Sequence, residues 1–192
     1  MGQLHKKFFF IIAFLFFFKT FIYASVITDN QNSKIISTAP AITEIIYLLE
    51  AHDYLVAVSN DCNYPKEALE LPNIGSFLRP DIEKIIQFSA GSKPLLIGMG
   101  NPNSPKATLL ESLGIKTIIF ETPKDFEDIY MIILKLGEIT NKTEKAKYII
   151  QNLKDELVLI SSGISKDRPS VLFIVWNPPL ICAGNISFIN SS

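Results

Sequence analysis

From residue 35 to about residue 160, short β-branched apolar runs alternate with stretches whose apolar residues recur three and four apart. Ile35-Ile36 is one such run, broken by Ser37-Thr38, and beyond Pro40 the residues Ile42, Ile45, Ile46 and Leu49 recur at i, i+3, i+4 and i+7, the spacing of one helix face. Pro40 suits the first turn of that helix, where its missing N–H costs nothing. The pattern predicts a short buried strand turning directly into an amphipathic helix. Free backbone N–H groups then stand at the strand's carboxyl end, where open α/β folds hold their ligands.

The alternation continues. Leu55–Val58 reads as a second strand, ending at Ser59-Asn60-Asp61-Cys62-Asn63-Tyr64-Pro65. Residues 81–86 follow as a helix with Ile82, Ile85 and Ile86 on its inner face, and Leu95–Ile97 as a third strand breaking at Gly98-Met99-Gly100. Ser104-Pro105 is an N-cap and N1 pair for a helix expected to turn Leu109, Leu110 and Leu113 inward, before a fourth strand at Thr117–Phe120. Repeated βα units of this length imply a mostly parallel sheet with helices on both faces. The pattern then becomes helical. Residues 125–139 form one helix and residues from Thr143 to about Ile160 another, with Ala146, Ile149, Ile150, Leu153, Leu157 and Ile160 as its apolar stripe. At 1.5 Å per residue the stretch from Glu144 to Ile160 is about 25 Å long, which suits a strut between two bodies, though an ordinary surface helix has the same periodicity. Val171–Val175 reads as a strongly buried strand leading to Trp176-Asn177-Pro178-Pro179, with little chain after it to supply a covering layer. The chain reads as unfinished.

The first residues stand apart from this pattern. Lys6 and Lys7, the apolar run Phe8–Phe18 and the small residues Ala24-Ser25 have the layout of a secretory signal peptide over 1–24. An uncleaved anchor is the rival, but Lys19 interrupts a run that would need about 20 apolar residues to span a bilayer. Loss of Lys6, Lys7 and Lys19 would leave the net charge of −1 three units more negative. A mildly acidic exported chain has no electrostatic case for nucleic acid. Cys62 and Cys182 lack the spacing of a metal site, and only two histidines occur, His5 within the leader and His52. The two cysteines either pair or stand as separate buried thiols; spacing does not choose.

No catalytic constellation accompanies the strand ends. Gly98-Met99-Gly100 lacks the third glycine of a dinucleotide loop, since Asn103 stands there, and no nucleophile elbow, phosphate-binding lysine loop or zinc-binding His-Glu-x-x-His occurs. Glu44, Asp53, Asp61 and Glu83 are scattered carboxylates. Phe77 and Trp176 lie in a loop and at a strand end, where ligand contact and simple packing are equally good readings. Tyr64, wedged before Pro65, reads as structural, and Glu83 as a solvated charge beside the apolar face of its helix.

These motifs, in this order, resemble a family. Ile35-Ile-Ser-Thr-Ala-Pro-Ala-Ile-Thr-Glu-Ile-Ile, Val58-Ser-Asn-Asp-Cys-Asn-Tyr-Pro, Leu71-Pro-Asn-Ile-Gly-Ser-Phe-Leu-Arg-Pro-Asp-Ile-Glu-Lys-Ile and Ser112-Leu-Gly-Ile-Lys look like the helical-backbone substrate-binding proteins of ABC importers for cobalamin, haem and ferric siderophores. The cobalamin-binding branch is the most similar, and Trp176-Asn-Pro-Pro with Ala183-Gly184 resembles the opening of the family's second lobe. Two departures stand out: Lys93-Pro94 is followed by Leu95 where the family commonly has Asp, and a full second lobe needs roughly another 80 to 100 residues beyond Ser192.

The resemblance implies a Rossmann-like α/β N-terminal lobe over 25–123, connecting helices including the backbone helix over 124–163, and the beginning of a second α/β lobe over 168–192. It places Asp61, Phe77 and Trp176 at or near cleft-lining positions and Glu83 at an acid that docks on permease arginines. The expected product is a monomeric, periplasmic, non-enzymatic binding protein without a resident cofactor or metal. It would capture a corrinoid, or a ferric siderophore or haem, and deliver it to an ABC permease. The rivals are a metallocofactor-handling enzyme on a similar scaffold and a non-functional fragment.

Overall fold

Four parallel strands, β1 (Ile35–Ser37), β2 (Leu55–Val58), β3 (Leu95–Met99) and β4 (Thr117–Phe120), form one sheet in the order β2-β1-β3-β4. This computed structural model describes residues 34–76, 79–89, 94–163, 172–176, 179 and 181–182; of Val175, Trp176 and Ile181 it describes the backbone alone. The expected leader, Phe77 and the Trp176 side chain lie outside those residues. In register, Ile35 faces Leu55 on one side and Leu95 on the other, while Leu96 to Met99 run beside Thr117 to Phe120.

The period of two along the strands decides the layers. Ile35 and Ile97 point into one core, packed by helix α1 (Pro40–Leu48) through Ile42 and Ile46, by α4 (Phe126–Ile139) through Ile132, Ile133 and Leu136, and by α5 (Thr143–Ser162) through Ala146 and Ile149. Their neighbours Ile36 and Leu96 point into the other, packed by α2 (Ile82–Ser89) through Ile85 and by α3 (Pro105–Ser112) through Leu110. Both faces of the sheet are therefore covered, as continuous apolar strands require. The expected α/β architecture with a parallel sheet is the one observed. Helix starts follow the capping chemistry of the sequence: Ser104 Oγ accepts from the Ala107 N–H of α3 at 3.3 Å, and Asp125 Oδ1 from the Asp128 N–H of α4 at 3.0 Å.

Three expectations about which residues face inward are corrected. In α3 the buried pair is Ala107 and Leu110, and Leu109 and Leu113 are half exposed; a helix of 8 residues beginning at Pro105 aims only that one row at Leu96 and Ile36. Ile86 of α2 also faces outward, while Ile85, flanked by Ile82 and Phe88, packs onto the core around Ile36. The stripe along α5 is buried at Ala146 and Ile149 but opens progressively, leaving Val158, Leu159 and Ile160 well exposed, because α4 covers only the first turns. Gly137 makes that close pairing of α4 and α5 possible: a Cβ there would come within 2.6 Å of the Ala146 Cβ.

The strand expected over Val171–Val175 is β5 (Ile174–Trp176), paired antiparallel with β6 (Ile181–Cys182). It differs from the buried strand that its composition predicts, since Leu172, Phe173 and Ile174 are exposed. A two-stranded ribbon buries little by itself. Among the described residues no helix is long and apolar enough to cross a membrane.

Candidate functional site

Strand order fixes where a ligand has room. From β1 the chain moves outward to β2, then returns across β1 to β3 on its other side and continues to β4. The connections leaving β1 and β3 diverge to opposite faces, which opens a crevice at their carboxyl ends, the topological switch point. A cavity of about 490 Å³ lies there, between Thr38 at the exit of β1, Met99, Gly100 and Asn101 at the exit of β3, Pro80 before α2, and the first turn of α3.

The two strand exits approach each other closely. Thr38 N donates to Ile97 O at 2.9 Å, and a Cβ added at Gly98 would overlap Thr38 Oγ1 and crowd Ile119 Cδ1. Glycine at 98 is thus required by the space above β3.

A second set of contacts ties the exits of β1 and β2 to α1. Thr43 Oγ1 lies 2.8 Å from Ser37 Oγ and 3.2 Å from Cys62 Sγ, while Ser59 Oγ lies 3.2 Å from the same sulfur. Ser37 Oγ donates onward to Ala39 O at 3.1 Å. Ser37, Thr43, Ser59 and Cys62 are all buried, and the main chain repeats the tie where Ser59 N donates to Ser37 O at 3.0 Å and Asn60 N to Gly75 O at 2.8 Å. Buried hydroxyls and a thiol that satisfy one another rigidify the turn they occupy. The turn is the one carrying Asp61, whose side chain is exposed beside this network. Cys62 and Cys182 are both free thiols.

Of the expected site residues, the structure describes Asp61 at the exit of β2 and Glu83 in the first turn of α2. Asp61 and the crevice share the carboxyl edge of the sheet, and Glu83 is exposed on the face formed by α2. Asp81 Oδ1 accepts from Lys84 N at 3.1 Å in the same turn, so it is Asp81, and not Glu83, that meets the open N–H groups of α2. Tyr64 departs from its structural reading: it is 66% exposed. Sequence reasoning put a ligand at the turn after β1, which includes Thr38, but missed Met99, Asn101 and Lys106, which line the crevice with it. The only signal was their position just after two apolar runs, and the adjacency of those runs in the sheet is not written in either of them.

A larger recess, of about 1110 Å³, lies elsewhere, between α1 and the 3-10 turn over Lys66–Glu70. Glu44, Glu50, Asp53, Glu67 and Glu70 surround it, with the Tyr47 and His52 rings stacked at 5.5 Å. Burial raises the Tyr47 hydroxyl above its ordinary pKa, with Glu67 and Glu70 adding to the effect. This surface is acidic and stands away from the switch point. Among the described residues no group of three or more His, Cys, Asp or Glu side chains is arranged to hold a metal ion.

With this geometry in place, residues 35–191 match the family model described as periplasmic binding protein. The chain belongs to the periplasmic binding protein family. Members of this family are binding proteins that work with ABC importers. Similar relatives include the uncharacterized ABC transporter substrate-binding lipoprotein YvrC of Bacillus subtilis, 28% identical over 84% of this chain and 52% of that protein. The vitamin B12-binding protein of Vibrio parahaemolyticus is 31% identical over 67% of this chain and 46% of its own length. Among solved structures, the periplasmic vitamin B12-binding protein BtuF of Vibrio cholerae is 27% identical over 82% of this chain and 61% of that one, with a TM-score of 0.69. The apo haem-binding protein RhuT of Roseiflexus has the same TM-score of 0.69 at 23% identity, over 81% of this chain and 60% of its own, a likeness of fold. The chain spans about half the length of the curated relatives it matches.

Proposed function

We propose that this protein is the solute-binding component of an ABC importer and that it captures a metal chelate at the carboxyl edge of its parallel sheet. The crevice at the β1–β3 switch point carries the reading. It is apolar-walled, open and held by two rigid strand exits, in a chain whose similar relatives include vitamin B12-binding proteins. A corrinoid is the first ligand to test, and a ferric siderophore or haem the alternative. Asp61, Phe77 and Trp176 would contact it. Residues 25–123 would form the first lobe, 124–163 the connecting helices, and 168–192 the beginning of a second.

Transport requires export, capture and release. Residues 1–24 would direct the chain across the membrane into the periplasm, where it would act as a monomer. Glu83, exposed on α2 with no ion pair among the described residues, would then meet a cationic surface of the permease. Nothing in this cycle asks for bond making or breaking by the protein. Capture needs only an apolar wall, a few fixed polar groups and exclusion of water.

Equilibrium dialysis of the purified chain against cyanocobalamin, haemin and a ferric hydroxamate tests the reading. Retention of one of the three at micromolar concentration with one-to-one stoichiometry is expected. Failure of all three to be retained by a folded protein would overturn it.

A further inference from the structure

We infer that the acidic recess between α1 and the 3-10 turn over Lys66–Glu70 is a docking groove for a basic, amphipathic helix of a partner protein. The groove shares no lining residue with the switch-point crevice. It also lies away from Glu83, since α1 packs on the sheet face opposite α2. Its partner is therefore separate from both the chelate and the contact proposed for Glu83.

The floor of the groove is apolar, and α1 makes most of it. That helix carries two apolar rows. Ile42 and Ile46 are buried against the sheet, while Ala41, Ile45 and Leu48 recur at i, i+4 and i+7 along the recess. Ile45 is half-buried and Leu48 is 52% exposed. Leu55 and Leu71 add to the floor, and Tyr64 adds a largely exposed ring. An apolar row along an exposed helix offers the ridge on which a second helix packs, and an apolar patch with a polar rim marks a contact surface.

The rim selects the occupant. Five carboxylates line the recess and no lysine or arginine does. Two of the five have cationic or titratable neighbours: Glu50 is held by Lys145 at 2.6 Å, and Asp53 lies 3.7 Å from His52. Glu44, Glu67 and Glu70 have no ion-pair partner among the described residues. Burial first, then the charges of Glu67 and Glu70, raise the Tyr47 hydroxyl above its ordinary pKa, so these two carboxylates are felt inside the groove.

Three other occupants fit this rim poorly. An anionic lipid surface is repelled by it. A second copy seated face to face would bring two acidic rims together, and juxtaposed like charges oppose association. A neutral apolar segment would take water from the carboxylates and give them nothing in return. Lysines or arginines flanking an apolar row satisfy floor and rim together, which is the helix-in-groove mode of recognition with a charge requirement added.

Fluorescence anisotropy of labelled synthetic peptides on the full chain tests the inference. The probe is a peptide of about 18 leucines and lysines at helical spacing, long enough to hold a helix. One control replaces its lysines with glutamates, the other its leucines with serines. The leucine–lysine peptide is expected to bind one-to-one and at least tenfold more tightly than either control. Glu67→Lys with Glu70→Lys should weaken that binding at least tenfold, and Leu48→Ser at least threefold. Asp155→Lys with Glu156→Lys, the same charge change on α5 outside the groove, should alter it less than twofold. All five residues are exposed, and circular dichroism checks that each variant is folded. No binding of the leucine–lysine peptide, binding that survives the Glu67 and Glu70 changes, or equal loss from the α5 variant overturns the inference. So does equal binding of the lysine–serine peptide, which would reduce the contact to net charge. A dimer that Leu48→Ser dissociates in sedimentation, or binding to phosphatidylglycerol vesicles that Leu48→Ser abolishes, would give the groove another occupant and overturn it as well.

Discussion

Gly98 on β3 lies directly beneath Thr38 at the exit of β1, so closely that no side chain can be added at 98 without displacing the threonine. This contact holds Thr38, which lines the switch-point crevice. It explains why a glycine interrupts an otherwise apolar strand and why the crevice begins where it does. Gly98→Ala is expected to cost about 1–3 kcal/mol, the usual price of overpacking. Thr38→Ala in the same chain should return most of that loss by vacating the space. Urea unfolding of the single and double variants measures both, and a double variant no more stable than Gly98→Ala would show that the contact is not the source of the strain.

The hydroxyl–thiol network predicts a different pattern. Thr43→Val keeps the shape of the side chain but removes the hydroxyl that contacts both Ser37 Oγ and Cys62 Sγ. A loss of about 1–3 kcal/mol is expected from the stranded buried groups. Thr43→Ser keeps the hydroxyl and should cost about 0.8 kcal/mol, the worth of one buried methyl-sized group. If valine proves no worse than serine in thermal unfolding, the network contributes nothing to the turn that carries Asp61.

Lys145 Nζ lies 2.6 Å from Glu50 Oε1, and this hydrogen bond, reinforced by the charge, lowers the Glu50 carboxyl below its ordinary value of 4.5. A carboxyl whose pKa is lower in the folded chain lends stability above its ordinary pKa and loses it as pH falls through the depressed value. Lys145→Met should therefore lower the urea midpoint slightly at pH 7 and leave it unchanged at pH 2. Both groups are solvent-exposed, so 0.5 M salt should shrink the pH 7 difference as well. A difference that persists in acid would have to come from packing of the lysine stem.

Glu83 offers a separation of capture from delivery. Glu83→Arg should leave chelate affinity within twofold, because the residue sits on an exposed helix turn and does not line the crevice. Uptake through the permease in reconstituted vesicles should fall at least tenfold. Equal loss in both assays would place Glu83 at the ligand instead.

Much of this was legible in the sequence, and the reasons for the rest are physical. The turn from Ile36 into the helix after Pro40 could be read because period two gives way to a clean 3.6 period within five residues. Leu109 and Leu113 misled because one short helix carries two apolar rows, and only the neighbouring strand decides which is buried. The apolar composition of residues 171–175 predicted burial, but burial needs a covering layer, which composition cannot supply. The crevice itself was out of reach. It exists because β3 lies beside β1 rather than β2, and strand order is a property of tertiary packing. Likewise, Thr43 and Cys62 are 19 residues apart, and nothing local to either announces their meeting.

Hydrogen exchange with and without saturating chelate tests the central claim most directly, because it locates the ligand on the chain. Protection is expected in the segments 59–64 and 99–106, which follow β2 and β3 at the carboxyl edge. Little change is expected around the acidic recess over 66–71. Protection confined to that recess, or absent from 99–106 while the chelate is demonstrably bound, would contradict a site at the switch point.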